Sequence, residues 1–146
     1  MVLIKRNLKN SEMQFKTKIC GITTVEDAQS ASEFGADAIG LNFYPNSCRH
    51  VTVERAEGII RKAGLGRVRW VGVFVNETTK DLVEISNQVG LDFIQLHGDE
   101  PASILEQINL PVIRAVRVRD RASAQQEIDQ WASAGAAGIL LDAASS

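Results

Sequence analysis

The sequence predicts an α/β protein made of about six strand–helix units with parallel strands. Short apolar runs alternate with stretches of helical period along the 146 residues. Several runs, such as residues 71–75 and 138–141, are apolar nearly throughout, which is typical of strands buried on both faces of a parallel sheet. The predicted strands lie at residues 17–20, 36–43, 69–75, 92–96, 112–116 and 137–141.

Amphipathic stretches separate these strands. After the first strand, four apolar residues from Val25 to Phe34 recur at intervals of three, which predicts a helix with one buried face. Residues 56–63 and 82–89 have similar helical spacing. The predicted order is therefore βαβαβαβαβαβ, which implies right-handed crossovers and a parallel sheet.

Residues with known end preferences mark the predicted helix boundaries. Thr23 and Glu26 have the spacing of a capping box, and Thr52 and Asp120 are predicted N-caps. Glycine is favoured just after the last helical turn, and the helices are predicted to end at Gly35, Gly64, Gly90 and Gly135.

Two architectures fit this order, an open doubly wound sheet and a closed (β/α)8 barrel. The first strand is followed by Cys20-Gly21-Ile22-Thr23 and not by a GxGxxG motif, which weakens a dinucleotide-binding doubly wound fold. The units repeat about every 24 residues, so eight units would need roughly 195 residues, near the lower limit of such barrels. On this spacing the chain supplies about six of eight barrel units.

One domain is expected, because a chain of 146 residues can bury one core. Residues 16–146 are predicted to form a partial-barrel domain. Residues 1–15 carry charges and amides throughout and are predicted to be a polar lead-in without the apolar run of a signal peptide. The two cysteines, Cys20 and Cys48, have no metal-binding spacing and are expected to be free thiols in the cytoplasm.

The overall charge argues against two classes of partner. The formal net charge is −2, whereas proteins that bind nucleic acid or an anionic membrane surface usually carry an excess of positive charge. The chain also lacks an apolar stretch of the roughly 18 residues that a membrane span needs. A small molecule is the expected partner, and local groups would have to hold it if it is anionic.

Polar and reactive side chains follow the predicted strands at their carboxyl ends, where parallel α/β folds carry their sites. Cys20 ends the first strand, Asp142 follows the sixth, and Arg49 lies in the loop after the second. Gln95 and His97 end the fourth strand. Each also fits a structural role: a buried small thiol, a helix cap, a solvated loop charge or a satisfied loop histidine.

Cys20 and Asp142 are the most informative pair, because a thiolate and a carboxyl group facing one pocket can act as base and acid across a substrate. The thiol would need a lowered pKa and the acid a raised one. Arg49 is a candidate for lowering the thiol pKa. Arg117 and Arg119 alternate with valines after the fifth strand, and the sequence does not distinguish which of them faces the site.

Five motifs, in order between about Lys16 and Ala143, closely resemble the strand-end motifs of phosphoribosylanthranilate isomerases. They are residues 18–23 (KICGIT), 40–49 (GLNFYPNSCR), 71–76 (VGVFVN), 95–100 (QLHGDE) and 140–142 (LLD).

The resemblance implies a (β/α)8 TIM barrel in tryptophan biosynthesis, with no cofactor and no metal. The implied reaction is the Amadori rearrangement of N-(5-phosphoribosyl)anthranilate to 1-(2-carboxyphenylamino)-1-deoxyribulose 5-phosphate. The resemblance implies that Cys20 is the catalytic base, that Asp142 is the acid and that Arg49 binds the anthranilate carboxylate. Gln95 and His97 fall in the motif that lines the substrate pocket.

The phosphate-binding residues are expected in loops after strands seven and eight, which this sequence does not contain. Three hypotheses therefore stay open: an isomerase whose last two units lie elsewhere or on another chain, a truncated inactive fragment that oligomerises by strand exchange, and another phosphate-sugar barrel enzyme. The edges of the first and sixth strands are expected to be exposed. Pairing between these edges would produce a homo-oligomer.

Overall fold

The computed structural model describes residues 2–4 and 16–143, which contain a sheet of seven strands. The last six strands correspond to the six predicted from sequence. The strands are β1 (Val2–Ile4), β2 (Lys18–Cys20), β3 (Ala38–Asn42), β4 (Arg69–Phe74), β5 (Phe93–Leu96), β6 (Val112–Val118) and β7 (Gly138–Ala143).

Helices connect the parallel strands. The α-helices are α1 (Val25–Glu33), α2 (Val53–Ala63), α3 (Thr79–Val89) and α4 (Arg121–Ala134). None of the helices within the described part of the chain is long and apolar enough to cross a bilayer.

The connection between β5 and β6 differs from the predicted α-helix. It contains a 3₁₀ helix at Ala102–Gln107, preceded by Pro101 as the N-cap. Pro111 stands immediately before β6. Proline disfavours helical geometry in the residue before it, so the two prolines leave only a short segment for helix formation.

Most predicted helix ends are confirmed. The Thr52 and Asp120 side chains cap α2 and α4. The predicted cap Thr23 is wrong by one residue, because α1 begins at Val25 and the Thr24 hydroxyl accepts from the Asp27 backbone N–H at 3.1 Å. Glycines with positive φ close or follow the α-helices at Gly35, Gly64, Gly90 and Gly135.

The six strands β2 to β7 lie side by side in chain order, and each pairs in parallel with the next. A doubly wound sheet reverses its strand order at a switch point, whereas a barrel adds every strand on the same side. The observed order is therefore that of a barrel wall.

The two faces of the sheet bury different sets of residues. One face packs against all the helices, and its cluster includes Ile39, Ile94 and Trp131. The opposite face buries a smaller cluster contributed by strands alone, as expected for the interior of a barrel. This interior cluster consists of Ala38, Val71, Phe93, Ile113, Ala115 and Leu140.

The amino-terminal segment adds a strand that the sequence did not predict. β1 pairs antiparallel with β7, with Val2 opposite Leu141 and Ile4 opposite Ile139. The expectation that the edge of the sixth predicted strand is exposed is therefore wrong, because β1 takes up its hydrogen-bonding edge. Residues 1 and 5–15 of the polar lead-in lie outside the described residues.

The other edge of the sheet is formed by β2 within the described residues, as expected. Two large apolar side chains are exposed: Ile19 in β2 retains 41% of its accessible surface, and Phe34 after α1 retains 92%. Phe34 was predicted to lie on the buried face of the first helix, and this prediction is wrong. Because α1 ends at Glu33, Phe34 is the C-cap residue and leaves the buried face.

Candidate active site

Strand register decides which side chains share a face, because paired residues point the same way and side chains alternate along a strand. Cys20 of β2 pairs with Gly40 of β3. The pairing continues through Val71 of β4 to Phe93 of β5. Gln95 lies two residues after Phe93, so Cys20 and Gln95 both point toward the barrel interior.

The same argument extends to the last strand. Gln95 pairs with Ile113 of β6, and Ile113 pairs with Gly138 of β7. Asp142 lies four residues after Gly138 and therefore points to the same face. Cys20 and Asp142, predicted from sequence as a pair, thus share the interior face near the carboxyl ends of their strands.

The Cys20 thiol is free and half-buried, and Gly40 makes room for it. A Cβ atom added at Gly40 would lie 2.8 Å from Cys20 Sγ and 3.2 Å from Cys20 Cα. Any side chain at position 40 would therefore displace the thiol.

Arg49 reaches across to the end of β2. Its Nη1 donates to the Cys20 carbonyl oxygen at 3.5 Å. The aliphatic part of Arg49 lies over Gly21, where an added Cβ would be 2.6 Å from Arg49 Cδ. Gly21 also has a φ of 81°, a conformation that side chains with a Cβ rarely adopt. Position 21 therefore requires glycine for both reasons.

The loop carrying Arg49 is held by side-chain hydrogen bonds. Asn42 Oδ1 accepts from the Tyr44 backbone N–H at 2.9 Å, and Asn42 Nδ2 donates to Ser47 Oγ at 3.1 Å. Ser47 Oγ also accepts from the Arg49 backbone N–H at 3.2 Å. These bonds order the loop, so Arg49 leaves it from a defined backbone position.

His97 and Asp142 form the second contact of the site. His97 Nε2 lies 3.2 Å from Asp142 Oδ2, and both side chains are partly buried. Burial lowers the pKa of His97, an effect that Asp142 opposes and the positive charge of Arg117 reinforces. A mainly neutral imidazole beside a carboxyl group can accept or donate the shared proton according to its tautomer.

Gln95 is 1% exposed, and its Oε1 has no hydrogen-bond partner among the described residues. Buried amide oxygens are almost always paired. An unpaired acceptor on the interior face therefore suits a hydrogen-bond donor of a bound molecule.

The structure places Arg117 on the interior face and both Arg117 and Arg119 beside His97. Arg117 pairs in register with Asp142, so it shares the interior face, and its Nη2 donates to the His97 carbonyl oxygen at 3.3 Å. Both arginines line a cleft of about 330 Å³ beside His97. The carboxylates of Asp99, Asp120 and Glu127 line the same cleft, so it carries charges of both signs.

The predicted site residues therefore form two contacting pairs, Cys20 with Arg49 and His97 with Asp142. No hydrogen bond among the described residues joins one pair to the other. Residues 2–4 and 16–143 also contain no group of three or more His, Cys, Asp or Glu side chains that could hold a metal ion.

Two residues of this region were not singled out from the sequence. Arg114 and Glu100 are buried at 6% and 8% exposure and form an ion pair at 2.8 Å directly behind the His97 loop. The sequence did contain a signal, because Arg114 interrupts the apolar run 112–116 and charged residues are rarely buried unless paired.

Comparison with known proteins identifies the family. A sequence model of N-(5'-phosphoribosyl)anthranilate (PRA) isomerase matches residues 17–146. The N-(5'-phosphoribosyl)anthranilate isomerase of Nitrosomonas europaea is 47% identical over 131 residues, which are 90% of this chain and 61% of that protein. The chain thus spans about three fifths of the length of this relative.

Solved structures confirm the fold class, a (β/α)8 barrel of which this chain supplies about six units. The phosphoribosyl anthranilate isomerase of Thermotoga maritima matches with a TM-score of 0.82 at 37% identity, covering 90% of this chain and 62% of that chain. A phosphoribosyl anthranilate isomerase in complex with reduced 1-(o-carboxyphenylamino)-1-deoxyribulose 5-phosphate matches with a TM-score of 0.79 at 37% identity, covering 88% and 64%. The chain therefore belongs to the N-(5'-phosphoribosyl)anthranilate isomerase family.

Proposed function

We propose that this chain carries the catalytic acid and base of a phosphoribosylanthranilate isomerase in tryptophan biosynthesis. The observation that supports this most is the common orientation of Cys20 and Asp142 on the interior face. The substrate would be N-(5-phosphoribosyl)anthranilate, and the product 1-(2-carboxyphenylamino)-1-deoxyribulose 5-phosphate. Family membership supports the choice of reaction.

The rearrangement requires two proton transfers that side chains on one face can supply. Protonated Asp142 gives its proton to the ring oxygen of the ribose, and the ring carbon–oxygen bond breaks to leave a protonated Schiff base. The Cys20 thiolate then removes the proton from C2 of the sugar. The resulting enolamine tautomerises to the ketone product, with no net change in oxidation state, so the proposed reaction uses neither a cofactor nor a metal.

We assign His97 the role of hydrogen-bonding Asp142 in both its protonated and its ionised state. A neutral imidazole accepts a hydrogen bond from the protonated carboxyl group and, in its other tautomer, donates one to the carboxylate. Because burial lowers the pKa of His97, the imidazole is mainly neutral at neutral pH and can serve both states of Asp142.

Arg49 and Gln95 are assigned to substrate binding. Arg49 lies beside the Cys20 end of the face and would pair with the anthranilate carboxylate, since guanidinium groups bind carboxylates through two parallel hydrogen bonds. The unpaired Gln95 Oε1 would accept from a substrate hydroxyl or amine.

The cytoplasm is the proposed compartment, consistent with free thiols at Cys20 and Cys48. The proposed partner is the small-molecule substrate, without nucleic acid or membrane. A homo-oligomer is the assembly expected under the second candidate function, which is described below.

The proposed function is tested by following the fluorescence of phosphoribosylanthranilate generated in situ. Turnover is measured for this chain alone and for this chain fused to the part of the Nitrosomonas europaea relative that it does not cover. We expect turnover in at least the fused form. A folded fusion that leaves the fluorescence unchanged would refute the isomerase assignment.

Binding by Arg49 is tested in the form that turns over. Arg49→Ala should raise KM roughly tenfold or more, because a hydrogen bond to a charged group contributes about 1.5–3 kcal/mol. Arg61→Ala removes an exposed charge from the last turn of α2 and serves as the control. An unchanged KM in Arg49→Ala would remove Arg49 from the binding site.

A second candidate function is a non-catalytic fragment that associates through its open edge. Two observations favour this alternative: β2 is an edge strand of the sheet formed by the described residues, and Ile19 of β2 and Phe34 after α1 are exposed. Sedimentation equilibrium separates the two: concentration-dependent association that Phe34→Ser abolishes would support it, and a monomer at all concentrations would exclude it.

A further inference from the structure

Arg114 occupies an unusual place for a charged residue. It lies in the middle of β6, and its register partner Ile139 belongs to the cluster that faces the helices. Its side chain is therefore on the opposite face of the sheet from Asp142. With 6% exposure, its charge must be compensated by neighbouring groups.

The guanidinium of Arg114 connects three acceptors. Nη1 donates to Glu100 Oε2, Nη2 to the Gly98 carbonyl oxygen and Nε to Glu127 Oε1, each at 2.8 Å. The group also lies 4.8 Å from the ring centroid of Trp131. Hydrogen bonds from its three nitrogens and the Trp131 ring over one face fix the orientation of the guanidinium group.

Glu100 extends this arrangement to the strand ends. Its Oε1 accepts from the Asn76 backbone N–H at 2.7 Å, just beyond β4. Its Oε2 accepts from the Gly98 backbone N–H at 2.9 Å, just beyond β5. Because Arg114 bonds the Gly98 carbonyl group, the ion pair holds both polar groups of this residue.

The neighbouring backbone groups are also occupied. The His97 N–H donates to the Phe74 carbonyl oxygen at 3.0 Å, and the His97 carbonyl oxygen accepts from Arg117. The Asp99 N–H donates to Asn76 Oδ1 at 2.7 Å. The turn after β5 therefore has fixed partners on both sides of His97, and the direction of the imidazole follows from this backbone.

We propose that Glu100 and Arg114 are positioning residues that hold His97 against Asp142 from behind the sheet. They touch neither the interior face nor the 3.2 Å contact itself. Their hold on the turn passes through the backbone of Gly98. The positive charge of Arg114 also lowers the pKa of His97 directly, so a test of positioning must keep that charge. The consequence for catalysis rests on the proposed function, whereas the effect on His97 is a property of the folded chain.

Stability alone is a weak explanation for this pair. Removing two charges from water costs free energy that their attraction often only offsets, and apolar replacements can be equally stable. What an apolar pair cannot do is bond the Gly98 amide and carbonyl groups. Arginine is also specifically suited, since its planar fork reaches several acceptors where the single ammonium group of lysine cannot.

The test is Arg114→Lys, which keeps the positive charge but removes the planar fork that bonds Gly98 and Glu100 together. Arg69→Lys is the matched control, because Arg69 forms an exposed ion pair with Asp92 at 3.1 Å at the opposite end of the sheet. NMR on the 146-residue chain records the titration of His97 and the amide hydrogen exchange of Gly98 and Asp99. His50, the second histidine, and the Val73 amide in β4 serve as internal references.

In Arg114→Lys, we expect the Gly98 and Asp99 amides to exchange at least ~10-fold faster relative to Val73, as local opening predicts. The pKa of His97 should rise toward 6.5, because burial is the main cause that lowers it. The signals of His50 should not change. Arg69→Lys should leave both readouts as in the wild type.

Two results would overturn the proposal. One is a folded Arg114→Lys chain with wild-type titration of His97 and an unchanged exchange ratio. The other needs no variant: in the wild-type chain, Gly98 and Asp99 amides should exchange at least ~100-fold slower than unstructured amides, and unprotected exchange would refute the fixed turn even if Arg114→Lys fails to fold. Neither readout uses turnover, so failure of the isomerase assignment would be recognised separately.

Discussion

Replacing Gly98 with alanine should destabilise the fold strongly through a single methyl group. A Cβ at this position would overlap Asn76 Oδ1 and lie 2.7 Å from the Asn76 backbone nitrogen. Asn76 cannot simply turn away, because its Oδ1 accepts the Asp99 N–H at 2.7 Å and its backbone nitrogen donates to Glu100 at 2.7 Å.

The magnitude follows from these two contacts. Overpacking a closely packed site costs about 1–3 kcal/mol, and losing one hydrogen bond adds about 1 kcal/mol. We therefore expect Gly98→Ala to lower the free energy of unfolding by about 2–4 kcal/mol, a large part of the roughly 5–15 kcal/mol typical of a domain.

Urea unfolding followed by circular dichroism measures this change. With m near 2 kcal/mol/M, a loss of about 3 kcal/mol moves the midpoint down by roughly 1.5 M. Gly58→Ala is the control: Gly58 lies in α2 with no atom within 4 Å of an added Cβ, so alanine should stabilise by about 0.5–1 kcal/mol. A Gly98→Ala midpoint within error of the wild type would refute the packing argument.

Three further predictions concern the site and its support. Gly40→Ala should lower the rate at which Cys20 reacts with a thiol reagent while leaving exposed Cys48 unchanged, because the new Cβ would lie 2.8 Å from Cys20 Sγ; equal rates in variant and wild type would argue against this crowding. Because the folded chain holds the pKa of His97 below 6.5, the unfolded chain binds more protons just below pH 6.5. The free energy of unfolding should therefore rise with pH up to about 6.5 and then level off, and urea titrations of His97→Gln should lack this contribution. Thr52→Ala should lower the free energy of unfolding by about 1 kcal/mol, because α2 loses its N-cap. Thermal or urea unfolding measures this change. A smaller loss than that caused by an alanine substitution at an exposed mid-helix position would contradict the capping role.

Local sequence signals predicted much of this fold because they act over a few residues. Apolar runs located the six parallel strands, and glycines located the helix ends. The prediction of Thr23 as a cap missed by one residue, since Thr24 has the same capping chemistry. Phe34 has helical spacing but follows the last turn of α1, and spacing alone cannot show that a helix has ended.

The site was partly predictable for a geometric reason. Parallel strands bring their carboxyl ends to one edge, so Cys20, His97 and Asp142 were expected to lie near one another in the fold. Contacts that cross several strands leave little local trace. The bond from Arg114 to Gly98 spans sixteen residues, and only the folded backbone shows that it lies behind His97. The antiparallel β1 was likewise missed because three residues carry too weak a periodic signal.

The most direct test of the central claim is the turnover of Cys20→Ala and Asp142→Asn in whichever form of the protein converts phosphoribosylanthranilate. Both variants should fold, and each should lose at least ~100-fold in kcat, since a positioned acid or base contributes about 10²–10⁴-fold. Cys48→Ala should keep wild-type turnover, because that thiol is exposed. Near-normal kcat in either Cys20→Ala or Asp142→Asn would contradict the assignment of these two residues as base and acid.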